Sequence, residues 1–88
     1  VSPRSNPVTT SASFRLGLAR SDEAAVLSLL DAAGRLVRRI ALPAGEIAAS
    51  AFWPCEDAEG RPVPAGVYFA VLEQAGIRAG CRFVVIRP

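Results

Sequence analysis

Residues Gly60 to Leu72 constrain this chain more than any other stretch. They read Gly-Arg-Pro-Val-Pro-Ala-Gly-Val-Tyr-Phe-Ala-Val-Leu. Pro62 and Pro64 hold φ and donate no backbone hydrogen bond, so they belong before a strand and not inside one. Gly66 stands where the chain turns the corner into Val67. From there an apolar strand runs on with the only tyrosine of the chain, Tyr68. The expected strand is 66–74. Glu73 shares its face with Val67, Phe69 and Val71, which points Tyr68, Ala70 and Leu72 into the core.

Other segments carry the same period of two. Phe14, Leu16 and Leu18 alternate with polar residues across 13–18, the pattern of a half-buried strand. A second strand is expected over Ala24–Leu30, with Ala25, Leu27 and Leu29 inward and Ser28 on the wetter face. Asp31-Ala32-Ala33-Gly34 fits a hairpin connection, in which the aspartate side chain caps the turn and glycine takes the left-handed position. The chain returns over Leu36–Leu42, where Arg38 and Arg39 must point to opposite faces. A helix from 24 to 42 is the rival reading, but Gly34 would interrupt it. Pro43-Ala44-Gly45 turns again, and 46–53 is a fourth strand. A last strand over 78–87 places Phe83 and Val85 inward and Arg82 outward. The pattern Asp57-x-x-Gly60-Arg61 echoes Asp31-x-x-Gly34-Arg35, which we read as shared turn chemistry. Short strands separated by turns argue for one all-β domain, an antiparallel sandwich of about seven strands in two sheets. It would occupy residues 11–88. Residues 1–10, with Pro3 and Pro7 among Ser, Thr and Asn, read as a linker from an upstream region. The chain opens on Val1, so it is expected to be a piece of a longer protein, with any export signal upstream.

Composition removes whole classes of function. All basic residues are arginine, there is no histidine, and the net charge is +2 over 88 residues. The usual general base, proton shuttle and zinc ligand are therefore missing. A charge this small, without interleaved aromatics, does not suit nucleic acid. No apolar run approaches the ~18 residues of a membrane span. Cys55 has no histidine to activate it, and Ser28 and Ser50 lie inside expected strands. Glu56, Asp57 and Glu59 lack the alternating ligand positions of a calcium loop and read as a solvated turn. No catalytic, cofactor or metal residue is therefore assigned. Cys55 and Cys81 have no metal spacing; a disulfide between them and two free, half-buried thiols stand as equal alternatives.

The order of these features resembles a known family. It runs Asn6-Pro7, Phe14-x-Leu16, Asp31-x-x-Gly34-Arg35-Leu36-Val37, Ala44-Gly45, Trp53, Gly60-Arg61-x-Val63-Pro64-x-Gly66-Val67-Tyr68-Phe69, and a closing Arg82-Phe83-Val84-Val85-Ile86-Arg87. Residues 6–87 are similar to the immunoglobulin-like domain of flagellar hook-capping proteins. They are also similar to the C-terminal sorting domains of type IX secretion cargo. Family members often read Trp-Asp-Gly-x-Asp where this chain has Trp53-Pro54-Cys55-Glu56-Asp57. The resemblance implies an immunoglobulin-like or fibronectin-III-like sandwich.

Within that frame Asp31, Gly34, Arg35, Trp53, Gly60, Pro64, Gly66 and Tyr68 form the structural motif. Tyr68 fits a tyrosine corner, whose hydroxyl reaches a nearby backbone group. Trp53 reads as core at a strand end, with a sugar-stacking platform as the alternative. The expected function is a non-catalytic C-terminal module of an exported bacterial protein, extracellular or at the cell surface. It would act in secretion sorting or surface anchoring through a protein partner. The alternatives are a structural module of the flagellar hook cap and an accessory carbohydrate- or protein-binding module of a secreted hydrolase.

Overall fold

A computed structural model of the chain describes residues 1–4, 6–9, 11–16, 23–43 and 50–87. Seven strands form among them, and none of these residues is helical. In chain order they are β1 (Ser2–Pro3), β2 (Ala12–Arg15), β3 (Ala25–Asp31), β4 (Leu36–Leu42), β5 (Ser50–Trp53), β6 (Gly66–Gln74) and β7 (Ile77–Val85). Two antiparallel sheets result, one ordered β1-β2-β5 and the other β4-β3-β6-β7. The helix rival over 24–42 is excluded by the β3–β4 hairpin that occupies it. Leu18, the Ala44-Gly45 turn and the first part of the expected fourth strand lie outside the described residues.

Alternation places the core as the pattern predicts. Phe14, Ala25, Leu27, Leu29, Tyr68, Ala70, Leu72, Phe83 and Val85 are all buried. Phe14 and Trp53 from the three-stranded sheet meet Tyr68 and Phe83 from the other. The centroid distances are 5.1 Å for Phe14–Phe83, 5.8 Å for Trp53–Tyr68 and 5.9 Å for Trp53–Phe83, all edge-on. Edge-on rings at this range add about 0.5–1.5 kcal/mol per pair beyond their burial. One aromatic cluster thus joins the two sheets.

Several expectations are corrected. Described residues of the segment read as a linker are built into the sandwich. Ser2 and Pro3 pair with Arg15 and Phe14. Val8 is buried and forms a parallel bridge with Val85. Its N–H donates to the Val84 carbonyl at 2.9 Å, and its carbonyl accepts from Ile86 N–H at 2.9 Å. Asn6 Oδ1 accepts from Val84 N–H at 3.0 Å, next to a cis Asn6–Pro7 bond. Proline and small polar residues match a linker in composition, but here their backbone groups complete a sheet edge. Ser28 does lie on the face opposite the core, but it is itself buried. It lies on an interior strand between Arg39 and Val71, whose longer side chains flank it. Arg38 and Arg39 do diverge, and the register shifts between Leu29 and Leu30. Val37 is the extra residue of this bulge, because Leu29 pairs with Arg38 and Leu30 with Leu36.

Candidate functional site

The motif residues gather at one end of the sandwich, around two turns and a corner. In the first turn, Asp31 Oδ1 accepts from the N–H groups of Ala33 at 3.0 Å and Arg35 at 2.9 Å. Asp31 Oδ2 accepts from Arg35 Nε at 3.0 Å. Gly34 closes the turn at φ +84°, in the left-handed region that a side chain disfavours. The echo at 57–61 repeats the backbone bonds of the first turn. Asp57 Oδ1 accepts from Glu59 N–H at 2.9 Å and Arg61 N–H at 3.0 Å, and Gly60 sits at φ +80°. A carboxylate bonded in this way stays ionised more readily. The Arg35 backbone N–H holds the Asp31 carboxyl below its usual range, helped by the Arg35 side chain, and the Arg61 backbone N–H does the same for Asp57.

The corner completes this end. The Tyr68 ring is buried, and its hydroxyl donates to the Pro64 carbonyl at 2.6 Å. Gly66 opens β6 directly after it. Burial pushes the Tyr68 phenol above its ordinary value, so it remains a neutral donor. Both turns and the corner line an open hollow of about 470 Å³, with Asp31, Arg35, Asp57 and Glu59 at its rim and Val63 and Tyr68 beneath.

Trp53 lies under the second turn, fully buried, and donates from Nε1 to the Glu56 carbonyl at 2.8 Å. A sugar-stacking role for this ring is thereby removed. Arg87 supports the same loop, donating from Nε to the Val63 carbonyl at 2.9 Å and from Nη2 to the Cys55 carbonyl at 3.1 Å. Arg38 Nη1 reaches the Asp57 carbonyl at 3.0 Å. The sequence named Arg38 for its face on the strand and Arg87 as the end of the closing motif, but neither as a brace of this loop. Their partners lie 19 and 24–32 residues away, beyond any local pattern.

Cys55 and Cys81 are both free thiols. Cys55 is buried in the loop below the second turn, whereas Cys81 is half-buried on β7 opposite Ala70. Burial raises both thiols above their ordinary value, which keeps them protonated and poorly nucleophilic. Cys55 also takes φ +58°, where glycine is the unstrained choice. Among the described residues no group of His, Cys, Asp and Glu could hold a metal ion. The two aspartates are spent on their own turns, so the geometry of this end is suited to holding loops in place.

Two sheets, an aromatic core between them and a tyrosine-braced corner define an immunoglobulin-like β-sandwich module. The chain belongs to the FlgD Ig-like domain family, whose model matches residues 4–76. No curated protein matches it in sequence. Among solved structures it is similar to PorZ, an essential bacterial surface component of the type IX secretion system of Porphyromonas gingivalis. That match has a TM-score of 0.72 and 22% identity over 97% of this chain. It is also similar to dimeric latent PorU from Porphyromonas gingivalis, with a TM-score of 0.74 and 22% identity over 98% of this chain. The chain spans 11% and 9% of those two proteins, so it corresponds to one module of each.

Proposed function

We propose that the chain is a non-catalytic immunoglobulin-like module of an exported bacterial protein, recognised as a folded unit during secretion sorting or surface anchoring. The observation that carries this reading is the near-complete fold match to modules of two proteins of Porphyromonas gingivalis, one of them a surface component of the type IX secretion system. The chemistry is consistent with it. The motif's polar groups bond to their own backbone, and binding is left to the assembled surface. The last hairpin is the contact region we favour, because β7 is an edge strand and an edge can accept a partner's strand. Val8 already takes the stretch at Val84–Ile86, which leaves Ile77–Arg82 as the open part of that edge among the described residues.

A fusion experiment tests the proposal. The module is joined to the C-terminus of a reporter that carries an inner-membrane export signal, and the fusion is expressed in Porphyromonas gingivalis. The reporter is expected at the cell surface or in the medium. A folded fusion that stays in the periplasm would overturn the sorting role. Truncating residues 80–88 is a poorer test, since it removes Phe83 and Val85 from the core. The family match supports a second reading, a structural module that assembles with copies of itself as in a flagellar hook cap. Sedimentation of the purified chain separates the two, because this reading requires a concentration-dependent oligomer.

A further inference from the structure

The outer face of the four-stranded sheet has an apolar centre where water would favour polar groups. Strand register places its rows. Leu36, Leu30, Phe69 and Arg82 lie side by side across β4, β3, β6 and β7. The next row is Arg39, Ser28, Val71 and Gly80. Leu36 is 50% exposed, and Val67 and Phe69 are each 36% exposed. Solvated antiparallel strands alternate apolar and polar residues, whereas strands covered on both faces run apolar throughout. Over 25–30 and 67–72, β3 and β6 are apolar on both faces apart from Ser28. The inward set already fills the core, so the outward set is suited to a cover that the described residues do not supply.

Charge says what kind of cover fits. Arg39 and Arg82 stand exposed on the two edge strands, three strand spacings or about 14 Å apart across the sheet. Neither has a carboxylate partner among the described residues, while the nearby Glu73 is held by Arg78 at 3.6 Å. A second copy laid on this face would bring guanidinium against guanidinium. An anionic glycan would satisfy the arginines and leave Phe69 and Leu36 uncovered. We infer that this face docks a partner protein whose surface has an apolar centre flanked by carboxylates. Aromatic anchors with arginine at the margin are the side chains on which protein interfaces concentrate their energy. The inference rests on the protein-binding reading above and adds this sheet face to the β7 edge as a contact surface.

Site-specific photocrosslinking tests it in the full-length parent protein in its own host. Benzoylphenylalanine replaces Phe69 in one strain. In a control strain it replaces Phe52, which is 60% exposed on the other sheet. Position 69 is expected to crosslink a protein at a site where apolar residues are flanked by Asp or Glu, and position 52 is not. Arg39→Glu with Arg82→Glu should cut that yield by about tenfold or more, since close charge pairs at interfaces couple by more than 1.4 kcal/mol. Both side chains are exposed, and an unchanged circular dichroism melt of the variant shows that the fold is kept. Four results would overturn the inference: no product at 69, equal products at 69 and 52, products with lipid, glycan or a second copy, or insensitivity to charge reversal. The reporter fusion is read separately. Export with a silent position 69 removes this docking face alone, and a specific crosslink without export removes the sorting role alone.

Discussion

The turn at Asp31–Arg35 and the turn at Asp57–Arg61 share their backbone bonds, and Arg61 alone reaches a second carboxylate, Glu59, at 3.4 Å. In each, the aspartate Oδ1 takes two backbone N–H groups, the glycine N–H returns to the aspartate carbonyl at 3.0 Å, and the arginine Nε meets Oδ2. What lies outside the five residues differs. The first turn closes a hairpin between two long strands of one sheet. The second sits in a loop that has only the Glu56–Pro62 bridge, and it depends on Trp53, Arg38 and Arg87 from elsewhere. Local chemistry shapes a turn equally well in both places. Strand pairing or distant side chains then decide how firmly it is held.

The strongest way to break this parallel is Trp53→Ala. It should destabilise the domain by about 3–5 kcal/mol, as large-to-small changes in cores do. Urea unfolding measures the loss, and a change under 1 kcal/mol would count against the aromatic cluster as the joint between the sheets. Arg87→Met comes next. Removing its two bonds to carbonyls should cost about 1–2 kcal/mol, below the full value for a charged donor because the side chain is partly exposed. Amide exchange should speed up at 57–61 and stay unchanged at 31–35. Equal changes at both turns would show that the second is not braced separately.

Two smaller tests sharpen the likeness. Gly34→Ala and Gly60→Ala should cost the same, about 1 kcal/mol each, because both require a left-handed backbone. A Cβ at either position meets nothing within 4 Å, so no clash enters the comparison. The smallest effect is on pH dependence. Both aspartates titrate below the ordinary value of 3.8 in the folded state. Their contribution is therefore present above that value and lost as pH falls below it. Asp31→Asn and Asp57→Asn should each flatten the acid limb of a stability profile, and an unaltered limb in either would dissociate that carboxylate from its turn.

These contrasts also mark how far the sequence could be read. The strand bounds of β4 and β6, the inward sets of β3, β6 and β7, and the likeness of the two turns were legible because each depends on residues within a few positions. Ser28 marked the outer face correctly, but its own burial was not legible because neighbours on β4 and β6 cover it. Residues 1–10 misled because composition describes what a segment resembles and not which edge its backbone completes. The bracing bonds of Arg38 and Arg87 carried no local signal, and the docking face emerged only when register placed Leu36, Leu30, Phe69 and Arg82 in one row.

By itself the sequence determined that the segments of β2 to β7 are strands, which side of most of them is buried, and how the chain turns at Asp31, Asp57 and Pro64. Those outcomes follow from side-chain periodicity, proline geometry and hydrogen bonds spanning at most four residues. Only the tertiary structure decided the sheet partners, the seat of Val8 on β7, the left-handed Cys55 and the bracing of the second turn. Each of these joins groups far apart along the chain, where the partner is chosen by the packing of the two sheets and not by its neighbours in sequence.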